Sequence, residues 1–268
     1  MFCGMVRGQY IAGTGMMLQR RMMETITNNI TNVDTTGYKK ENLVSHTFDA
    51  VMLQRMNDDD DDAIGRAEIV SARRVASAPL VGPMNYGTQI DQIYIDYSTG
   101  AFEETGRDTD MALVGDVFFV LETPDGERYS RAGAFLVDGA NYLIDAEGNY
   151  VMGENGRIYV GSGTFSVDSA GGVYVNGQYS DTLRVVSFED NNALRKQGGN
   201  LFFSADGPAA VTGAYEVKQK FLENSNVDVG REMVDMISVY RAYETNQRML
   251  TMIDEIVGKA VNDIGRIR

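Results

Sequence analysis

Apolar positions return with a helical period at both ends of the chain and in short, turn-interrupted runs between them. Val229, Met236, Tyr243, Leu250, Val257 and Ile264 recur every seven residues, and Met233, Tyr240 and Val261 are expected to fill the second row of the same seam. Val229 to Ile264 extends ~54 Å at the α-helical rise, which suits a rod better than a compact core. From about Met5 to Val33 the chain offers a partner, with Met16, Met23 and Ile30 in one row, Ala12, Ile26 and Val33 in the other, and Gln19 interrupting. A narrow stripe buries little until another helix covers it, so the two ends are expected to pair as one coiled-coil-like module.

The turn formers Asp34-Thr35-Thr36-Gly37 end the N-terminal helix near Val33. Tyr38 to Arg55 carries scattered apolar residues (Leu43, Val44, Phe48, Val51, Met52, Leu53) and reads as an irregular or partly helical arm. Asp58 to Asp62 then repel one another and read as an exposed loop. From Gly65 to about Tyr215 the period changes: Ile90, Ile93, Ile95 and Tyr97 stand among polar neighbours, and Val117 to Leu121 is a continuous apolar run. Turns fall at Pro124-Asp125-Gly126, Asp138-Gly139, Glu147-Gly148-Asn149, Asn155-Gly156, Gly171-Gly172 and Asn176-Gly177, with Leu183–Phe188 and Leu201–Phe203 as later strands. The return helix opens after Glu223, with either Ser225 or Asp228 as its cap. The fold class is therefore α+β: paired terminal helices and a central antiparallel all-β domain, barrel-like or sandwich-like. Its expected divisions are an N-terminal helix over 1–37, an arm and acidic loop over 38–64, a β domain over 65–220 and a C-terminal helix over 221–268.

Composition narrows the function. With 38 acidic against 24 basic side chains the formal charge is −14, which disfavours a nucleic-acid surface. The 29 glycines beside only 4 prolines fit a turn-rich middle. Cys3 is the single cysteine and His46 the single histidine, so neither a disulfide within the chain nor a cysteine-built zinc site is available, and no nucleophile elbow accompanies the histidine. No apolar run of ~18 residues spans a membrane, and Met1 to Ala12 lacks a secretory h-region. Asp58 to Asp62 lack the alternate spacing and turn glycine of an EF-hand, and Gly161-Ser162-Gly163 lacks a dinucleotide fingerprint. Neither catalysis nor a cofactor is expected. An alternative of another class, a Ca²⁺- or carbohydrate-binding β module on a helical stalk, rests only on the aspartate run and the glycine-rich strands.

The stretch Asn28-Asn29-Ile30-Thr31-Asn32 places three poor helix formers beside apolar seam positions, either as a fraying helix end or as amides that bond across to neighbouring helices and fix register. Extended to Val33-Asp34-Thr35-Thr36-Gly37-Tyr38-Lys39, it resembles the N-terminal signature of the bacterial flagellar rod and hook proteins. Ser225-Asn226-Val227-Asp228, Glu232-Met233-Val234 and Tyr240-Arg241-Ala242-Tyr243-Glu244-Thr245-Asn246 resemble that family's C-terminal signature. Thr105 to Leu113, Gly115 to Phe119 and Tyr129-Ser130-Arg131-Ala132-Gly133-Ala134-Phe135 are similar to its central motifs. The resemblance implies a structural axial subunit, exported unfolded by the flagellar type III apparatus to the extracytoplasmic basal body and polymerised helically as a homo-oligomer. It implies contacts with itself and with other axial rod and hook proteins, and makes the surrounding ring proteins further candidate partners; it implies no membrane insertion. The modest middle favours a rod subunit, proximal or distal, over the larger hook subunit. Assembly contacts are then expected from Asn28, Asn29, Ile30, Asn32, Thr36 and Gly37, from Ser225, Asn226 and Asp228, and from Met233, Tyr240, Tyr243, Asn246 and Leu250.

Overall fold

A computed structural model describes residues 2–48, 51–54, 80–84, 87–161, 163–204, 207 and 214–265. The N-terminal helical pattern forms α1 (Phe2–Thr31) and the C-terminal one forms α2 (Val229–Gly265), with strands arranged in antiparallel pairs between them. The described residues of Met1–Met23, Leu43–Gln92 and Ile237–Arg268 form one unit; those of Glu24–Asn42 and Ile93–Met236 form the other. Asp58 to Asp62, Gly65 and Ser162 lie outside the described residues.

In the second unit the apolar run expected near Val117 is the strand Phe118–Thr123, at the middle of an eight-stranded sheet. Its hairpin partner Gly126–Ser130 pairs it from Phe119 opposite Ser130 to Thr123 opposite Gly126. Both faces of the strand are covered, which is why its sequence runs apolar without alternation. Phe119 and Leu121 enter one core with Phe135, Leu143, Val151 and Leu183. Phe118 and Val120 enter a second with Tyr129, Val186 and Phe202. Ring edges meet ring faces in both, Phe119 to Phe135 at 5.1 Å and Phe118 to Phe202 at 5.8 Å between centroids, the arrangement favoured by aromatic quadrupoles. A three-stranded meander (Phe165–Val167, Gly172–Val175, Gln178–Thr182) turns at Asn176 and Gly177, both at positive φ as a tight hairpin requires.

The later chain returns to earlier strands: Glu216–Gln219 pairs with Met111–Val114, and Phe221–Glu223 with Phe102–Glu104. These long-range pairings bring the residues that precede α2 beside the first part of the β region. The arm expected over Tyr38 to Arg55 is corrected, because Glu41–Thr47 and Val51–Gln54 are strands. Along Glu41–Thr47, Glu41, Leu43 and Ser45 are half-buried while Asn42, Val44 and His46 are exposed. The partner strands, Thr88–Ile95 and Leu80–Met84, lie tens of residues away, so no local pattern announced them.

In the first unit α1 and α2 touch where α1 is small. A Cβ added at Gly8 would lie 3.1 Å from Ile253, and one at Gly15 would lie 2.9 Å from the Asn246 amide. Beside these, Gln9 Nε2 donates to Asp254 Oδ1 at 2.7 Å.

Candidate functional site

The end of α1 is built into the second unit through Asn29, which is 1% exposed. Its Oδ1 accepts from the Tyr38 hydroxyl at 3.1 Å and the Glu41 backbone N–H at 3.0 Å, while Nδ2 donates to the Glu41 carbonyl at 2.9 Å and to Glu232 at 3.1 Å. All four amide capacities of one side chain are thus used, and they join the helix end, the following strand and the first turn of α2. Burial, with Glu41 and Glu232 nearby, raises the Tyr38 hydroxyl above its ordinary range.

Gly37 follows at φ +65°, its N–H donating to the Glu223 carbonyl at 2.7 Å, and a Cβ there would run into the backbone of Arg131. This delivers Lys39 to the interior, 1% exposed, where Nζ donates to Glu223 Oε1 at 2.6 Å and to the Ser98 carbonyl at 2.8 Å. Arg131, 2% exposed, faces the other oxygen of Glu223 at 3.2 Å and donates to the Gly115 and Val117 carbonyls at 2.6 and 2.5 Å. The Gly100 N–H completes the carboxylate's surroundings at 3.1 Å. Burial lowers the Lys39 ammonium below its ordinary value, an effect opposed by the Glu223 charge. A second pair, Lys40 with the buried Glu232 at 2.5 Å, lies next to Asn29. Five segments distant in sequence are therefore fastened by one polar knot: the α1 end, Ser98–Gly100, Arg131, Glu223 and the start of α2.

Asn226 ties the return into the same region. Its Oδ1 accepts from Lys40 N–H at 2.8 Å, and Nδ2 donates to the Asp96 carbonyl at 2.9 Å and to Ser98 Oγ at 3.0 Å. Asp228 caps α2, Oδ1 accepting from Arg231 N–H at 3.2 Å, whereas Ser225 bonds only the nearer Val227 N–H. Asn28, Asn32 and Thr36 share a groove of about 650 Å³ with Glu41, Lys196 and Asn200. There Lys196 pairs with Glu41 at 2.8 Å and lies 3.9 Å from the centre of the Tyr38 ring. Ile30 is half-buried and stands apart from these bonds.

Along α2 the half-buried face runs through Met236, Val239, Tyr243, Asn246, Leu250, Ile253, Val257 and Ala260. Tyr243 and Leu250 lie on this half-buried face, as their spacing expects, and Asn246, expected from the family resemblance, lies on it against Gly15 of α1. The second row is corrected: Met233, Tyr240 and Val261 are 52%, 54% and 53% exposed, and the row lies one residue earlier, at Glu232, Val239, Asn246, Ile253 and Ala260. Two of its five members are polar, Glu232 and Asn246, but so are Gln247 and Asp254 in the neighbouring row, so apolar spacing alone does not separate the two. Lys39, Lys40, Arg131, Glu223 and Glu232 were not singled out from sequence as site residues. The available signal was a charge inside each motif, but its partner lies in another motif and only the fold pairs them. Among the described residues no cluster of three or more His, Cys, Asp or Glu is placed to hold a metal, and no helix is long and apolar enough to cross a membrane.

Asn29, Lys39, Arg131, Glu223 and the start of α2 fall within segments that known families share with the chain, whereas Ser98–Gly100 does not. Residues 10–39 match the flagella basal body rod protein family, 112–175 the D1 domain of flagellar hook protein FlgE/F/G, and 218–263 the C-terminal family of flagellar basal body rod FlgEFG proteins. The flagellar basal-body rod protein FlgG of Bacillus subtilis is 32% identical, over 96% of this chain and 99% of the relative. FlgG of Agrobacterium fabrum is 31% identical over 94% and 97%, and the B. subtilis hook-basal body complex protein FlhO 29% over 98% and 100%. Likeness of that extent, carried through both helices and the strands that tie them, makes this chain a member of the flagellar basal-body rod protein family.

Proposed function

We infer that the chain is a structural subunit of the flagellar basal-body rod, working through helix contacts with copies of itself and with other rod and hook proteins. The observation that carries this reading is the state of α2 beyond Glu232, the buried residue of its first turn: Ile237, Tyr240, Met249, Met252 and Ile256 are all 45% exposed or more. Apolar side chains at that density on one helix are a surface awaiting a partner. Family membership supplies the kind of partner.

Within the subunit, α1 and α2 pair antiparallel as a coiled-coil-like seam. The contacts Gly8 with Ile253 and Gly15 with Asn246 are one heptad apart on each helix and run in opposite directions, and the same register sets Met22 opposite Val239. The two glycines let the helices approach closely and accept the bulk of Ile253 and Asn246. Asn29, Gly37, Asn226 and Asp228 act in assembly by holding the last turn of α1 and the first turn of α2 together, whereas Asn28, Asn32 and Thr36 face the groove and contact neighbouring subunits. Met233 and Tyr240 lie outside the seam and face neighbours as well. The chain passes through the flagellar export apparatus unfolded, transmits torque once polymerised in the extracytoplasmic envelope, and performs no catalysis. The likeness to rod proteins over nearly the whole chain favours this reading over the Ca²⁺- or carbohydrate-binding alternative, which no comparison supports.

The reading is tested by placing an affinity tag at the chain's end in its own host and isolating intact basal bodies. Tagged full-length chain is expected in the rod, located there by electron microscopy, and a version lacking residues 237–268 is expected to be absent from it. Basal bodies free of the chain, in cells that swim normally without it, would overturn the assignment.

A further inference from the structure

Apart from Val234 on the outer face, the exposed apolar residues of α2 fall on two different flanks of the helix. Ile237 and Tyr240, followed by Glu244, lie on one side of the row that faces α1; Met252 and Ile256, with Lys259, lie on the other. In heptad terms, with Met236 and Tyr243 as first positions, the first set occupies b, e and b, and the second c, g and c. α1 covers the face between them and so satisfies neither.

The two flanks match each other in order. If two α2 helices lie side by side, pointing the same way and displaced by about two heptads, Ile237 meets Met252, Tyr240 meets Ile256 and Glu244 meets Lys259. Two apolar pairs are followed by one of opposite charge, at offsets of 15, 16 and 15 residues. Such alternation is what b, e and c, g positions require when a helix packs beside a translated copy of itself. With zero displacement the same flanks oppose Ile237 to polar Ser238, Tyr240 to the small Ala242 and Glu244 to uncharged Thr245, so the shifted register is the one that fits.

We propose that the first flank of α2 docks on the second flank of α2 in a neighbouring copy of this chain, displaced along the helix axis by ~23 Å. The contact rests on the rod-subunit reading and goes beyond it by fixing which residues meet and in what sense. It is heterologous: each copy offers one flank and receives another, so addition never closes a two-fold dimer and continues as an open array. Among the described residues Glu244 has a loose ion-pair partner within its own helix, Arg248 at 4.0 Å, which leaves it available for Lys259 of the neighbour.

The test uses the full-length chain with Cys3→Ser as background. Single-cysteine variants Ile237→Cys and Met252→Cys are oxidised separately and as a mixture, under conditions where the chain self-associates in sedimentation. The mixture is expected to give several-fold more crosslinked dimer than either variant alone. In a second arm, Glu244→Lys and Lys259→Glu each weaken association about threefold, and the double exchange restores it, since only a direct pair recovers on reversal. All four positions are at the surface of a helix, so folding, followed by circular dichroism, is expected to be unchanged. Predominant Ile237–Ile237 crosslinks, or additive losses in the double exchange, would overturn the flank pairing while leaving the rod assignment intact. A chain that fails to self-associate at any concentration would overturn both.

Discussion

The two units of the chain treat their difficult residues in opposite ways. The unit of Glu24–Asn42 and Ile93–Met236 buries not only Phe119, Phe135 and Phe202 but also Lys39, Arg131, Glu223 and Glu232, each charge with a partner. The unit that carries most of both helices, whose described buried apolar residues are Ala12 and Leu18, leaves Tyr10, Met17, Ile237, Tyr240, Met249, Met252 and Ile256 in solvent. The other unit also exposes residues such as Tyr179 and Val234, but around closed cores. A region that hides charges must complete its own bonding, because an unpaired buried ion costs several kcal/mol. A region that shows apolar faces has deferred part of its burial to another molecule. Stability is thus invested in the first region and assembly in the second, and substitutions should separate the two properties.

The largest expected loss comes from Glu223→Ala, which strands two buried cations and should lower unfolding free energy by about 3–5 kcal/mol in denaturant titration. A loss under 1 kcal/mol would mean that the charges are not what holds the unit together. Gly37→Ala follows, at about 2 kcal/mol or more, because the left-handed backbone and the adjacent Arg131 peptide both resist a methyl group.

Tyr38→Phe comes next, costing about 1 kcal/mol for the bond to Asn29. Its more telling effect is on the pH profile. Burial raises the hydroxyls of Tyr38, Tyr97 and Tyr129 above 10.0, so their contribution is complete below that pH and lost as pH climbs toward their folded values. Lys39, lowered by burial from 10.5, has the opposite sign: its contribution is present above 10.5 and lost as pH falls through its folded value. Above about pH 10.5 only the tyrosine effect still changes, and stability should decline. Tyr38→Phe should flatten that decline, as chemical denaturation at successive pH values would show.

The smallest effect on folding should follow Met252→Gln, within about 0.5 kcal/mol, because that side chain is already 57% exposed. Its association should nonetheless weaken measurably in sedimentation. Equal loss of stability and association would erase the distinction between the two regions. Removing 1–23 and 237–268 together should leave the remaining unit folded but unable to assemble, whereas a cut at Val33 also removes Asn29 and with it four hydrogen bonds of the knot.

Sequence periodicity by itself determined the two helices and the strand Phe118–Thr123, because α1, α2 and a strand covered on both faces each obey a local rule, and chemistry repeated at fixed spacing needs no partner to be seen. It also located the amide-rich end of α1 and the Asp228 cap among its alternatives. Tertiary structure alone decided that Asn29 reaches Glu232, that Lys39 and Arg131 share Glu223, and that Glu41–Thr47 is a strand. Those pairings join residues separated by tens to hundreds of positions, and a charge in a sequence does not reveal which opposite charge will meet it. The second row of α2 belongs to the same category. Its Glu232 and Asn246 look like surface residues until folding places a buried amide and a glycine opposite them.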